Sequence, residues 1–175
     1  MSSQFGKFYT VDSKYIADLI DVDDKVRWNK EGKYTRPYIG LVLSINELPY
    51  FIPLGSAKRN SETGEVIKKS NTFTIHITDS DNDIISYLHF NYMIPVPDKC
   101  ISEVDMKTHQ DTDLRYYLLL LEENKFIRSH LNDINKKALK VYDNRTKSSH
   151  SEYYNNFCID FHNVEECFAA YTKGS

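Results

Sequence analysis

The chain changes its hydrophobic rhythm once, a little past its middle. Before that point apolar and polar residues alternate in short runs, the two-residue period of half-buried strands; after it, apolar residues recur at helical spacing. Phe5 to Thr10 predicts a first strand. Asp12 or Ser13 then offers a short side-chain oxygen to the unpaired backbone NH groups of a helix over Lys14 to about Ile20. Asp21 to Tyr34 is charged and predicts an exposed loop. Pro37 to Ile45 and Tyr50 to Leu54, joined by Asn46-Glu47-Leu48-Pro49, predict a hairpin with Gly40 inside its first arm. Asn60 to Lys69 is rich in turn formers and charge and reads as a mobile loop. Thr72 to Ile77 alternates, Ser80-Asp81-Asn82-Asp83 makes a turn, and Ile84 to Phe90 follows as its partner strand. Pro95 and Pro97 lack backbone donors, so Asn91 to Pro97 closes the β region at a strand end or edge.

From Asp113 the period lengthens. Leu114, Tyr117, Leu118 and Leu121 fall on one helical face, and Phe126, Ile127, Leu131, Ile134 and Leu139 continue the apolar supply of a long helical region. Asp143 to Tyr153 is polar and predicts a loop. A last helix is expected to start near Asn163, where Asn163 and Glu166 have capping-box spacing, and to run through Cys167, Phe168 and Tyr171. Gly174-Ser175 reads as an appended tail. Strands first and helices second predict an α+β fold rather than alternating βα units.

Composition narrows this picture only modestly. With 175 residues, 41% of them hydrophobic, the chain suits one domain with a sizeable core. A formal charge of -3 gives no global basic signature, so a nucleic-acid surface would have to be a local cluster of lysines and arginines. Three cysteines, Cys100, Cys158 and Cys167, form no CxxC pair, and an odd number of thiols fits a reducing compartment. No apolar run approaches the ~20 residues of a membrane helix, and Met1 to Thr10 lacks the pattern of a secretory leader. The expected location is the cytoplasm, with no membrane partner. The 13 tyrosines and 9 phenylalanines suit sheet packing and also stacking on unpaired bases.

Several chemistries find no support. His76, His89, His109, His130, His150 and His162 lie far apart without ligand spacing, so no metal or cofactor site is expected, and they read as structural or surface residues. Glycine-rich phosphate loops and GxSxG elbows are absent. What remains is Pro53-Leu54-Gly55-Ser56-Ala57-Lys58-Arg59, a hydroxyl and two cations directly after an apolar strand. Ser56 and Lys58, two apart, share a side if the extended backbone continues. A polar turn with solvated cations is the competing reading.

Ordered motifs add to this. Phe8-Tyr9-Thr10-Val11-Asp12-Ser13-Lys14-Tyr15-Ile16, then Arg36-Pro37-Tyr38-Ile39-Gly40-Leu41-Val42, then Tyr50-Phe51-Ile52-Pro53-Leu54 with Ser56 and Lys58 follow one another along the chain. Asn91-Tyr92-Met93-Ile94-Pro95-Val96, Phe126-Ile127-Arg128 and Cys158-Ile159-Asp160-Phe161 come after. In this order they resemble the ToxN/AbiQ family of type III toxin-antitoxin endoribonucleases, from residue 8 to about 171, with weaker stretches at 59 to 85 and 98 to 120. The family usually has Thr where this chain has Gly55, so a hydroxyl beside the serine is absent, although a backbone NH there can still meet phosphate.

The resemblance implies a twisted antiparallel sheet, partly barrel-like and related to the MazF/Kid toxins, with helices around it. It implies metal-independent cleavage of single-stranded RNA, in which the 2′-OH attacks phosphorus and leaves a 2′,3′-cyclic phosphate and a 5′-OH. That reaction needs a proton acceptor, stabilisation of phosphate charge and a proton for the leaving oxygen. Lys58 is the first candidate, as charge stabiliser or as acid or base. Ser56 would hydrogen-bond the phosphate or place the 2′-OH, Arg36 would clamp the phosphate through its fork of donors, and Tyr15 would position sugar or phosphate. Tyr15 has a core reading as well, and Arg36 that of a solvated loop residue.

RNA contacts extend further. Gly55, Arg59 and the basic, aromatic-interleaved stretch Lys25, Arg27, Trp28, Lys30, Lys33 and Tyr34 suit phosphate pairing and base stacking, with a solvated loop as the equal alternative. Lys136, Lys137 and Lys140 offer a second basic face or a solvated one. The resemblance further implies a repeated pseudoknot RNA antitoxin that bridges toxin protomers into an oligomer. A noncatalytic RNA-binding module on the same fold is the second hypothesis, and a protein-interaction domain the third.

Overall fold

The computed structural model describes residues 7–27, 39–147 and 151–174. Among these, the strands are β1 (Tyr9–Val11), β2 (Ile39–Ile45), β3 (Leu48–Ser56), β4 (Thr74–Thr78), β5 (Ile84–His89), β6 (Ile94–Pro95) and β7 (Ile101–Glu103). The helices are α1 (Ser13–Val22), α2 (Met106–Thr112), α3 (Leu114–Ser129), α4 (Leu131–Thr146), α5 (Glu152–Phe157) and α6 (Phe161–Lys173). The α+β expectation therefore holds. All pairings are antiparallel, in the order β4-β5-β3-β2-β1-β7, with β6 added beside β3. The sheet is open, its ends at β4 and β7, which corrects the barrel-like expectation.

The hairpin of β2 and β3 forms as its pattern predicts, but its turn is tighter. Asn46 and Glu47 both take positive φ, 49° and 67°, and turn the chain alone, so Leu48 and Pro49 already pair with Ile45 and Ser44. Two positive φ values are what a two-residue hairpin turn requires to match strand twist. Gly40 is needed for close approach: a β-carbon there would fall 2.2 Å from the Ile52 carbonyl oxygen of the neighbouring strand. The α1 cap is Asp12, whose carboxylate accepts from the Tyr15 NH at 3.0 Å.

The helical half departs from its periodicity in four ways. First, α3 buries Tyr116, Leu120, Glu123 and Ile127 and packs on β4 and β5, while Leu114 and Leu118 stay 58% and 52% exposed. The expected Leu114-Tyr117-Leu118-Leu121 face is thus the outer one. Helical spacing says that a face is apolar, but the neighbouring sheet decides which face is covered. Second, the long helical region breaks at His130, where Ser129 Oγ donates to the Phe126 carbonyl at 2.9 Å and His130 Nδ1 meets the same oxygen at 2.8 Å. Side chains that compete for terminal carbonyls stop a helix. Third, α4 continues to Thr146 and α5 begins at Glu152, so part of the expected loop Asp143 to Tyr153 is helix. Fourth, α6 starts earlier than Asn163, because Asp160 is its cap and accepts from His162 and Asn163 NH at 3.1 and 3.4 Å.

One buried cluster joins sheet and helices through Phe8, Tyr15, Leu19, Phe51, Phe90, Ile134 and Phe161 among others. Two polar ties cross it. Glu165 accepts from the hydroxyls of Tyr50 and Tyr142 at 2.6 and 2.8 Å, anchoring α6 to β3 and α4. Asp23, buried after α1, accepts from the Asp160 NH at 2.7 Å and so binds that corner to the start of α6. Among the described residues no helix is long and apolar enough to cross a membrane.

Candidate functional site

The end of β3 organises the site. Leu54, Gly55 and Ser56 stand opposite Leu88, Tyr87 and Ser86 of β5, and the Ala57 NH extends the ladder to the Ile85 carbonyl at 3.1 Å. Because neighbouring side chains alternate, Gly55 lies on the face of Tyr87 and His89, while Ser56 takes the face of Ser86. Ser56 and Lys58 are both exposed where the strand leaves the sheet. The segment beyond is more ordered than its composition predicts. The Ile67 NH donates to the Lys58 carbonyl at 2.8 Å, Arg59 bridges Val66, and Arg59 Nη1 donates to the Gly64 carbonyl at 3.1 Å. This folded loop returns Lys69 to the sheet, with its ammonium 5.7 Å from the Tyr87 ring centre.

On the Gly55 face the missing side chain is filled from β5. A β-carbon at residue 55 would come within 2.4 Å of His89 Nε2 and 2.9 Å of Cδ2, so the imidazole occupies the space. The His89 ring lies 6.1 Å from that of Tyr87 and 5.9 Å from that of Tyr92. Arg27 closes this side: its Nη2 donates to the Tyr92 hydroxyl at 2.5 Å, and its guanidinium carbon sits 4.2 Å from the Tyr92 ring centre. Burial, then the positive charges of Lys69 and Arg27, push the His89 imidazole down to about 4. Lys69 is itself lowered, by partial burial first and by the charges of Arg27 and Lys58, against an opposing influence of Tyr92. A neutral imidazole among cations is therefore the resting state at pH 7.

The expected residues divide accordingly. Ser56, Lys58, Gly55 and Arg27 are brought to one end of the sheet, and Arg59 is held inside the folded loop beside it. Lys25 lies next to this group but its ammonium faces buried Asp23 at 3.6 Å, so that charge is partly matched. Arg36, Trp28, Lys30, Lys33 and Tyr34 lie outside the described residues. Tyr15 is placed differently from the position implied for it. It is fully buried, donates to the Pro95 carbonyl at 2.6 Å and packs edge-on against Tyr171, and burial holds its hydroxyl above the usual tyrosine range. In this conformation the Tyr15 hydroxyl joins α1 to β6 and meets no solvent. Of the second basic face, Lys137 donates to the Asn71 carbonyl, while Lys136 and Lys140 are exposed.

Three members of the group were not singled out from the sequence as site residues: His89, Lys69 and Tyr92. Tyr92 sits inside the quoted Asn91-to-Val96 segment and His89 two residues before it, which is the one local signal available. Lys69 carries none, since only the folded loop brings it back. A groove of about 500 Å³ lined by Lys25, Val26, Arg27, Tyr92 and Phe157 continues from the cluster. A separate cleft of about 1140 Å³ is lined by Lys7, Met106, Leu121 and Arg128 among others and by none of the site residues. Among the described residues no group of three or more His, Cys, Asp or Glu side chains converges as metal ligands would.

In sequence and in overall fold the chain is similar to a class of RNA-cleaving toxins. The chain is 33% identical to the endoribonuclease ToxN of Bacillus thuringiensis subsp. kurstaki, over 91% of its own length and 81% of the relative's. It is 30% identical to the endoribonuclease AbiQ of Lactococcus lactis subsp. lactis, over 97% and 91% of the two chains. A solved type III toxin-antitoxin structure, concerned with selective toxin inhibition by a non-coding RNA pseudoknot, superposes with a TM-score of 0.79 at 32% identity, covering 95% of this chain and 97% of that one. AbiQ, a lactococcal anti-phage endoribonuclease of a type III system, superposes with a TM-score of 0.75 at 28% identity, over 95% and 98%. The model of the ToxN toxins of type III toxin-antitoxin systems matches residues 7–169, and the chain belongs to that family.

Proposed function

We propose that this chain is a toxin that cleaves single-stranded RNA without a metal ion, the 2′-OH attacking the adjacent phosphorus to leave a 2′,3′-cyclic phosphate and a 5′-OH. The observation that carries the reading is the pairing of exposed Ser56 and Lys58 at the rigid end of β3 with Arg27 and Lys69 beside them. Lys58 stabilises charge on the phosphate oxygens, Ser56 donates a hydrogen bond to one of them, and Arg36 clamps the same phosphate. Gly55 and Arg59 contribute backbone and charge contacts. Lys25, Arg27, Trp28, Lys30, Lys33 and Tyr34 hold flanking nucleotides. Tyr15 supports the site indirectly by fixing α1 to β6. The toxin acts in the cytoplasm, and a kinship of its sheet with the MazF/Kid toxins belongs to the same proposal.

The antitoxin in this reading is a repeated pseudoknot RNA that occupies the basic surfaces and bridges toxin copies, and the pair acts in defence against phage. Support comes from the relatives, which include an anti-phage endoribonuclease and a toxin inhibited by an RNA pseudoknot. Gly55 favours a second reading, a noncatalytic RNA-binding module that kept the fold without the usual hydroxyl. One experiment separates the two. Purified protein is incubated with unstructured transcripts in EDTA and the product ends are typed. Cyclic-phosphate ends from the unmutated protein, lost by about 100-fold or more in Lys58→Ala, are expected for the enzyme. Salt-sensitive binding without cleavage is expected for the module.

A further inference from the structure

We infer that the groove between the turn after α1 and the end of α5 reads one unpaired base of the RNA to be cut. In it Phe157 stacks on the base, while Asp24 and Asn156 meet an edge that carries an amino group. The inference rests on the RNA-cleavage reading and deepens it, because it names residues that would choose among bases. The groove, about 500 Å³, is lined by Ile20, Asp24 and Lys25 at the α1 corner and by Tyr92, Asn156 and Phe157. Its walls are fixed by buried polar groups. Asn91 Nδ2 donates to the Phe157 carbonyl at 2.8 Å and the Ile159 NH to the Asn91 carbonyl at 3.0 Å, tying the 3-10 turn Phe90–Tyr92 to the end of α5. At the other wall Asp23 accepts from the Lys25 NH at 2.9 Å and from the Asp160 NH at 2.7 Å.

Stacking is the first argument. Phe157 is 53% exposed, its ring backed by that of Tyr153 at 5.0 Å, and Tyr153 is itself stacked on Phe73 at 5.4 Å. A ring so held, with a face left to solvent, gains by covering it, and a base is the flat group that RNA brings. The polar rim is the second argument. The Asp24 carboxylate and the Asn156 amide are exposed, and among the described residues neither side chain has a hydrogen-bond or ion-pair partner. Beside Lys25 and Arg27 a free carboxylate repels phosphate, so it hinders RNA binding unless it accepts from a base. An exocyclic amino group is such a donor, and the Asn156 amide donates to the ring nitrogen or carbonyl next to it. Uracil has no amino group, and the two carbonyls that flank its N3–H would face the carboxylate. Arg27, stacked on Tyr92 at 4.2 Å, and Lys69, whose ammonium feels the charges of Arg27 and Lys58, then lead the phosphates toward the end of β3.

The test measures binding of fluorescein-labelled oligo(C) and oligo(U), which share a ring size and differ in the amino group. Their 2′-OH groups are methylated, so they bind without being cut. The unmutated protein is expected to hold oligo(C) about tenfold more tightly than oligo(U) at one salt concentration. Phe157→Leu, which keeps apolar bulk without a π face, is expected to weaken both by about fivefold or more. Asp24→Asn strengthens both by removing a charge, but oligo(U) more, since an amide donates to its carbonyls, and the two are expected to converge within about threefold. Melting curves accompany each variant, and Asn156→Ala, at a second exposed position, gives the same narrowing of the ratio. Cleavage of mixed-sequence transcripts then reads the cut sites. The unmutated protein is expected to avoid uracil at one fixed position near the scissile bond, and Asp24→Asn to relax that preference. A ratio within about threefold for the unmutated protein, or one that neither Asp24→Asn nor Asn156→Ala changes, overturns the inference and leaves the groove to a partner other than RNA. Cut sites unmoved in Asp24→Asn overturn the assignment to the RNA being cut. An unmutated protein that prefers oligo(C) and never cuts in EDTA sinks the cleavage reading instead, and keeps the base site.

Discussion

His89 lies against Gly55 so closely that a β-carbon at residue 55 would come within 2.4 Å of its Nε2. The contact joins β3 to β5 diagonally across their ladder, and it makes the two positions one unit. Gly55→Ala is therefore expected to displace a ring that is only 9% exposed, at a cost of about 1–3 kcal/mol in stability. In the double variant Gly55→Ala, His89→Ala most of that cost is expected to vanish. Urea unfolding of the four proteins gives the coupling energy directly, and additive effects would contradict the contact.

Tyr15 supplies a prediction with the opposite emphasis. Its hydroxyl is the donor to the buried Pro95 carbonyl, so Tyr15→Phe leaves that oxygen without its partner and is expected to cost about 1–3 kcal/mol. Cleavage per folded molecule is expected to stay within about threefold, since the hydroxyl faces the core. Stability and activity measured on the same preparation decide between this and a direct role at the phosphate.

The pH dependence of folding follows from His89. In the folded chain its imidazole is pushed down to about 4, against an ordinary value of 6.5, so the unfolded chain takes up the proton first as the solution is acidified. The histidine's contribution is fully present above about 6.5, is lost as the pH falls from there to about 4, and changes no further below. The loss is on the order of 3 kcal/mol. His89→Gln, compared with the unmutated protein at pH 7 and pH 4.5, is expected to have the shallower decline; parallel declines would mean that the ring takes its proton as easily folded as unfolded.

Glu165 carries two buried tyrosine hydroxyls, those of Tyr50 and Tyr142. Glu165→Leu leaves both without an acceptor and is expected to destabilise the protein by about 2–5 kcal/mol, more than removal of either tyrosine hydroxyl singly. Thermal or urea unfolding of Glu165→Leu, Tyr50→Phe and Tyr142→Phe orders the three.

The thiols should react according to burial. Cys158 is fully buried and its thiol is pushed up to about 12, chiefly by that burial, so its labelling by a thiol reagent is expected to wait for unfolding. Cys167 is only partly covered and is expected to label first. Peptide mapping of the labelled native protein reads the order.

What the sequence determined by itself was local. The link Asn46-Glu47-Leu48-Pro49 marked the β2-β3 hairpin, although pairing in the sheet tightened its turn to Asn46 and Glu47. Asp12 started α1, because a short carboxylate can reach the first NH groups of any helix that follows it. Alternation marked β4 and β5, and the run from Gly55 to Lys58 marked a strand end with a hydroxyl and a cation. Tertiary structure decided everything that depends on which surface meets which. Leu114, Leu118 and Leu121 share a stripe as good as that of Tyr116, Leu120 and Ile127, and only the position of β4 and β5 chose between them. Asp160 displaced Asn163 as the cap of α6 where a tie to Asp23, far away in the chain, fixed the helix entrance. Burial likewise turned Tyr15 inward, since its nearest acceptor in the fold is a carbonyl at Pro95. His89 came to Gly55 because β5 pairs with β3, and Lys69 came beside them because a loop folded back. Such juxtapositions leave no periodic trace along the chain: a side chain's neighbours across a sheet are set by strand order, and strand order is set by how the whole core closes.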